Sequence, residues 1–427
     1  MENDYLKIVG QVEKYGTAES VMHLINEKSL YIQHKRQLAN KATGIDGVDK
    51  WQYNKKIQEN LASLVAKMKT FSYKPLPVKR VYIPKVGSDK KRPLGIPTYE
   101  DKLVQGAMAE VLNVIYEQKF LDCSYGFREA RSCHDAIKAL DKAIVKGKTN
   151  WIVDADIKGF FDNVNHDWLI KFLEHDIKDK NFIRYIKRFL IGGIMDKGHF
   201  VASDKGTPQG GVISPILANV YLHYVLDLWF EKAIKAACKG FVELVRYADD
   251  FVVCFEYEHE AREFYRLLEE RLAKFGLELS GDKSKIIRFG RNSDDEDGGN
   301  RHTFDFLGFT HINGKTRYGA YKLQHITSKV KLKSKRQTVK LWLKKNMHAD
   351  KCKLVKQINV KLLGHYRYYG ITNNFRSLDK FRYYVSKILF FFLKRRSQRK
   401  LKLTQFLNFL KHNPLAQPKI FVPLGNY

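Results

Sequence analysis

The order of strands and helices along the chain predicts an α+β fold. Three apolar, strand-like segments stand far apart: residues 151–157, residues 243–247 running through 251–255, and residues 303–309. Helical stretches at 165–191, 214–236 and 258–275 lie between them. Strands and helices mixed in this order make a sheet with helices packed behind it.

The remaining segments follow from local signals. Residues 1–70 read as polar helices interrupted by a turn at Thr43-Gly44-Ile45-Asp46-Gly47. Pro75, Pro77, Pro84, Pro93 and Pro97 then punctuate short β-rich pieces such as 78–83, which predicts strands and loops. Helix resumes over 101–120. The acidic run at 293–300, Ser-Asp-Asp-Glu-Asp-Gly-Gly-Asn, lacks the ligand spacing of a calcium loop and reads as a solvated connection between strands. Segments 355–363 and 378–393 have the periodicity of amphipathic helices.

Charge is distributed unevenly. The chain of 427 residues carries a net charge of +30, which favours a polyanionic partner. From Thr316 to Tyr427 there are 27 lysines and arginines against two acids, so +25 of the total sits in the last quarter. Leucines, isoleucines, phenylalanines and tyrosines are interleaved with those cations, which predicts a folded nucleic-acid-binding domain rather than a disordered tail. The cysteines at 123, 133, 238, 254 and 352 are odd in number and contain no CxxC pair, so neither a zinc site nor a disulfide framework is expected. Met1-Glu2-Asn3-Asp4 does not open a signal peptide, and the apolar run 388–393 is too short for a bilayer; no membrane partner is expected.

The carboxylates carry the chemistry. Tyr247-Ala248-Asp249-Asp250 lies between two β-forming runs, at a hairpin position. Side chains alternate along a strand, so both acids reach one site only if the turn rotates one of them. Alternation favours Asp249 as the ligand shared by two ions and Asp250 as the peripheral one. Acids between buried strands need compensating charge, which divalent ions provide. A second apolar strand ends in Asp154-Ala155-Asp156, with both acids on one face. A carboxylate from it beside Asp249 would complete a site for two Mg²⁺ ions about 3.5–4 Å apart, hard cations that prefer oxygen ligands.

With these residues in place, the sequence resembles the reverse transcriptase/maturase proteins encoded by bacterial group II introns. The likeness runs from about residue 40 to the end. Its elements occur in the family's order: Thr43 to Gly47; Lys85 through Arg92-Pro-Leu-Gly-Ile-Pro97; Ser124-Tyr-Gly-Phe-Arg128; Asp156-Ile-Lys-Gly-Phe-Phe-Asp162 with His166; Gly206-Thr-Pro-Gln-Gly-Gly211 through Ser214-Pro215 and Asn219; Tyr247 to Asp250; Gly276 to Lys283; and Phe306-Leu-Gly-Phe309.

The resemblance implies a right-hand polymerase of fingers, palm and thumb with a C-terminal α-helical maturase domain. The expected divisions are 1–72 for an N-terminal extension and the start of the fingers, 73–315 for fingers and palm, and 316–427 for thumb and maturase. Asp156, rather than Asp154 or Asp162, joins Asp249 and Asp250 as catalytic metal ligand. Phe161 matches the steric gate that rejects a 2′-OH, which implies dNTP substrates. Lys85 and Arg92 match cations that grip the triphosphate, and Gln209 matches the residue over the nucleotide. Lys283 matches a basic residue behind the site, with proton donation to pyrophosphate and a plain solvent-facing role both open. Leu307-Gly308 matches the turn that presents the primer end. His166 and Asn219 are expected to brace helices.

In the basic tail, Lys331, Lys333, Lys335, Arg336, Arg367, Lys394, Arg395 and Arg396 are the candidate RNA contacts. Around Arg367, Gly364-His-Tyr-Arg-Tyr-Tyr-Gly370 allows either stacking on RNA or a tyrosine core. His365 has no evident nucleophile or metal partner. The implied partners are group II intron RNA, an RNA template with a DNA primer, dNTPs and a DNA target site, in a bacterial cytoplasm and at the nucleoid during integration. No His/Asn-rich endonuclease segment with paired cysteines is seen, so second-strand cleavage is not expected. Two other readings keep part of this: a domesticated reverse transcriptase in phage defence or spacer acquisition, and an RNA-folding maturase without polymerase activity.

Overall fold

The structure, a computed structural model, describes residues 2–84, 91–207, 210–293, 302–396 and 401–424. The acidic run at 294–300 therefore lies outside the described residues, as do Lys85 and Gln209. The strands are β1 (Val78–Pro84), β2 (Lys91–Ile96), β3 (Trp151–Asp156), β4 (Ile194–Asp196), β5 (His199–Val201), β6 (Val242–Tyr247), β7 (Asp250–Phe255), β8 (Lys285–Arg288), β9 (Thr303–Phe306), β10 (Phe309–Lys315) and β11 (Tyr321–Thr327). They form three sheets, in the orders β2-β1-β4-β5, β6-β7-β3-β8 and β11-β10-β9.

The central sheet, β6-β7-β3-β8, is antiparallel throughout and covered on both faces. Period-two alternation sorts its side chains. Val153, Ala155, Phe251, Val253 and Phe255 enter the main core with the N-terminal and middle helices. Ile152, Val252 and Cys254 face the other way, toward the helix Cys133–Val145 and strands β9–β11. Asp154, Asp156 and Asp250 fall on this second face, as continuations of an apolar stripe past the end of its cover.

Helices appear where periodicity placed them, with interruptions. The predicted 165–191 helix is two helices, His166–Asp176 and Lys180–Ile191. Asp179 separates them because its carboxylate accepts from Asn181 N and Phe182 N as an N-cap, and from Val21 N and Met22 N. The predicted 214–236 helix is α-helical over Ser214–Leu222 and then widens into π-helical turns at His223–Asp227 and Phe230–Ile234.

Two features depart from expectation. The hairpin β4–β5 was not predicted, and its three-residue strands are too short to show a period. The hairpin β10–β11, paired over Phe309↔Thr327 to Lys315↔Tyr321, straddles the expected boundary at 315/316. The change to all-helical structure comes instead after Ser328, which caps the helix Lys329–Asn346. The helices Lys351–Tyr369, Phe375–Lys394 and Leu403–His412 follow and share a separate apolar core.

Candidate active site

Strand pairing brings the predicted acids together. In the β3·β7 ladder Asp156 stands directly opposite Asp250, so the two side chains leave the same face of the sheet. Asp249 occupies the two-residue turn between Tyr247 and Asp250, which are themselves paired. Ala248 opens that turn with φ +58°, a left-handed conformation that costs a side-chain-bearing residue roughly 1 kcal/mol or more. This is the rotation that two adjacent acids need in order to serve one site.

The electrostatics show the crowding. Burial, then the charges of Asp249 and Asp156, raise the Asp250 carboxyl to about 6. Burial, then Asp250, Asp156 and Asp305, raise Asp154 to about 7. Asp249 is raised too, chiefly by burial and further by Asp156, while Arg92 and Arg246 pull it back. Arg92, on β2, is near enough for its charge to act on Asp249.

Lys283 is not solvent-facing alone. Its Nζ lies 2.5 Å from Asp156 Oδ2. Among the described residues no three His, Cys, Asp or Glu side chains converge tightly enough to hold a metal ion as they stand, and Asp156 is engaged by this lysine. The donor set nevertheless suits a hard divalent cation. Its ligands are carboxylate oxygens, they repel one another, and an ammonium group is already drawn onto one of them.

Phe161, in the short helix Phe160–Asn163, lines a cavity of about 710 Å³ together with Arg80, Pro93, Gly95, Asp162 and Thr207. Gly206 and Gly210 are glycines of necessity here. A Cβ on Gly206 would lie 2.9 Å from the carbonyl oxygens of Phe161 and Asp162, and one on Gly210 2.6 Å from Gly95 O. Gly210 thus lies against β2, and the Gly206 turn lies against the Phe161 helix. His166 braces that turn, its Nε2 lying 2.7 Å from Gly206 O. A larger cavity of about 940 Å³, between Asp46–Lys56 and Thr98–Asp101, holds none of the predicted site residues.

Leu307 and Gly308 form the two-residue turn between β9 and β10, both left-handed, with φ +49° and +80°. Their carbonyls are held from the helical region: Tyr368 donates its hydroxyl to Leu307 O at 3.0 Å, and Ser328 N donates to Gly308 O at 3.0 Å. This decides part of the open choice in the 364–370 motif. His365, Tyr366 and Tyr369 are buried and Tyr368 braces the turn, so these aromatics are core, while Arg367 is exposed.

Of the other predicted RNA contacts, Lys333, Lys335, Lys394 and Arg395 are exposed. Arg336 packs over the Tyr384 ring at 5.2 Å, and Arg396 donates to Ala349 O. Lys331 differs in location. Its side chain passes within 3.6 Å of a Cβ position on Gly308, and its charge acts on Asp250, so it lies against the β9–β10 turn as well as in the basic tail.

Sequence reasoning missed Arg246. It is fully buried and pairs with the equally buried Asp227, Nε to Oδ1 at 2.6 Å and Nη2 to Oδ2 at 2.5 Å. A charged residue inside the apolar strand Leu244-Val245-Arg246 was the available signal, because such a group must be paired. Its partners could not be found from spacing.

By fold and site this is an α+β protein with a carboxylate cluster at the end of a central sheet, faced by a basic strand and followed by a basic helical region. A family model described as reverse transcriptase (RNA-dependent DNA polymerase) matches residues 83–311. The group II intron-encoded protein LtrA of Lactococcus lactis subsp. cremoris is 33% identical over 283 residues, which are 64% of this chain and 47% of LtrA. Protein YkfC of Escherichia coli (strain K12) is 34% identical over 313 residues, covering 66% of this chain and 78% of YkfC. An uncharacterized 91 kDa protein in a cob intron of Schizosaccharomyces pombe is 42% identical over 168 residues, 39% of this chain and 20% of that protein. The chain thus spans about half the length of LtrA and more of YkfC. It belongs to the reverse transcriptase (RNA-dependent DNA polymerase) family. That family implies dependence on divalent metal. No helix among the described residues is long and apolar enough to cross a membrane.

Proposed function

We propose that the chain is the RNA-directed DNA polymerase of a group II intron. In this reading it copies intron RNA into DNA with dNTPs and assists splicing as a maturase. The carrying observation is the pairing of Asp156 with Asp250 beside the turn that holds Asp249. Asp156, Asp249 and Asp250 would hold two Mg²⁺ ions. Bound there, the ions supply the charge that activates a 3′-hydroxyl and neutralises a departing pyrophosphate.

The chain's own residues divide the remaining work. Arg92, with Lys85, grips the triphosphate. The Phe161 ring fills the space that a 2′-OH would need, and Gln209 lies over the nucleotide. Leu307 and Gly308 hold the primer end through a turn fixed by Tyr368 and Ser328. Lys283, paired with Asp156, would be the cation placed to face pyrophosphate once that carboxylate serves a metal ion.

The same reading arranges the chain as a right hand. Residues 1–72 begin the fingers, and fingers and palm occupy 73–315 together with the rest of the β10–β11 hairpin, which runs on to Thr327. Thumb and maturase follow, with Lys331, Lys333, Lys335, Arg336, Arg367, Lys394, Arg395 and Arg396 toward RNA. The partners are group II intron RNA, a DNA primer on an RNA template, and a DNA target in the bacterial cytoplasm and nucleoid. Splicing of a cognate intron with and without the protein tests the maturase half; an unchanged splicing rate refutes it. Primer extension with dNTPs tests the polymerase half, and an Asp249→Asn variant of undiminished activity refutes that.

A further inference from the structure

Arg246 uses every donor it has. Nε and Nη2 grip the Asp227 carboxylate, Nη2 also donates to Ser124 Oγ at 2.7 Å, and Nη1 donates to Asn219 Oδ1 at 3.1 Å and to Ala248 O at 3.0 Å. An arginine offers five N–H groups, and all five are taken. Ser124, Asn219, Asp227 and Arg246 are all fully buried. Asn219 passes the connection on, donating from Nδ2 to Gly126 O at 2.7 Å. Gly126 in turn presses on the turn itself, where a Cβ would lie 2.4 Å from Ala248 N.

The backbone repeats the pattern. Arg246 N donates to Cys123 O at 2.8 Å and Tyr125 N donates to Arg246 O at 2.9 Å, so the 123–126 loop is laid along β6 up to the turn. Asp227 closes the π-helical turn His223–Asp227. Such widened turns interrupt an α-helix locally and recur at functional sites. Three separate segments therefore converge on one guanidinium, and one of its bonds ends on the left-handed residue immediately before Asp249.

A buried ion pair is a poor source of stability, because desolvation offsets attraction. Its better use is to select one geometry. We propose that Arg246, clamped by Asp227, is a positioning residue that sets the catalytic turn: through Ala248 it fixes where Asp249 presents its carboxylate. The inference rests on the polymerase reading above and adds a determinant of how well the acids accept a divalent ion.

The test uses the full chain and Mn²⁺, with free Mn²⁺ followed by electron paramagnetic resonance so that no turnover is needed. Binding that Asp249→Asn removes defines the site. Arg246→Met with Asp227→Leu deletes the pair without leaving a buried charge; the acceptors at Asn219 and Ala248 lose their donor, so the melting temperature is expected to drop while the chain stays folded and RNA affinity holds. The Asp249-dependent Mn²⁺ affinity is expected to fall about tenfold or more, as for other residues that orient metal ligands. Arg246→Lys keeps the charge but loses the fork, and is expected to weaken Mn²⁺ binding in the same direction. It decides the matter if the double variant does not fold. A folded double variant, or Arg246→Lys, with wild-type Mn²⁺ affinity overturns the inference and leaves the polymerase reading standing. A wild-type chain that neither extends a primer nor binds Mn²⁺ through Asp249 overturns both.

Discussion

Phe161 and Lys331 are the single side chains on which the proposed nucleotide and primer contacts can be tested. Phe161 lines the cavity with Gly206 and Thr207, and its backbone carbonyl accepts from Thr207 N at 2.7 Å. Phe161→Ala should enlarge that cavity. Discrimination between dNTPs and rNTPs, measured as the ratio of kcat/KM, is expected to fall by a factor on the order of 10 to 100; an unchanged ratio would remove Phe161 as the gate. Lys331 lies against Gly308 and within reach of Asp250. Lys331→Ala is therefore expected to raise KM for primer–template without changing affinity for intron RNA, and the opposite pattern would return Lys331 to the tail. The acids were legible because their signals are local, apolar flanks and strand alternation, whereas the choice of Asp156 and the role of Phe161 came only through the resemblance to reverse transcriptases. Arg246 was not, since its partners Asp227, Asn219 and Ser124 lie 19, 27 and 122 residues away.

Elements carry the next level of constraint. The strand β11 alternates, with Leu323, His325 and Thr327 buried, yet a reading dominated by tail charge hid that period. The β9–β10 turn and the helix Lys351–Tyr369 then meet through Tyr368, whose hydroxyl donates to Leu307 O. Within that helix His365 is buried against Tyr369 and Phe381, at ring distances of 4.7 and 4.3 Å, and among the described residues neither ring nitrogen has a hydrogen-bond partner. Burial, with Lys335 adding to it, pushes its pKa down to about 4. A histidine depressed in the folded state keeps its full contribution to stability above its unfolded value of about 6.5 and loses it as pH falls toward 4. That loss is on the order of 3 kcal/mol. His365→Phe should flatten the dependence over this window in denaturant unfolding. Equal slopes for wild type and variant would show that His365 is not its source.

Across the whole molecule, the carboxylate cluster and most of the positive charge are separated. The acids close the central sheet, whereas +25 of the +30 net charge follows residue 315, largely on helices with a core of their own. Neutralising Lys333, Lys394 and Arg395 should therefore weaken RNA binding and lower the salt slope by about 0.7 per lost phosphate contact. The same changes should leave catalysis at saturating RNA intact. A salt slope that does not move would mean that these cations do not meet the backbone. The basic character of this region was readable from composition, but not its layout. Arg336 and Arg396 are partly buried, and the aromatics around Arg367 serve the core, because amphipathic helices place cations and rings according to packing partners that periodicity alone does not name. The central claim is that Asp249, set opposite Arg92 and beside Asp156, supports DNA synthesis. Single-turnover primer extension on an RNA template with dNTPs and Mg²⁺ tests it most directly, comparing wild type with Asp249→Asn at equal RNA occupancy. The rate is predicted to fall by about 10³-fold or more while RNA affinity is unchanged; extension by the variant at the wild-type rate would contradict it.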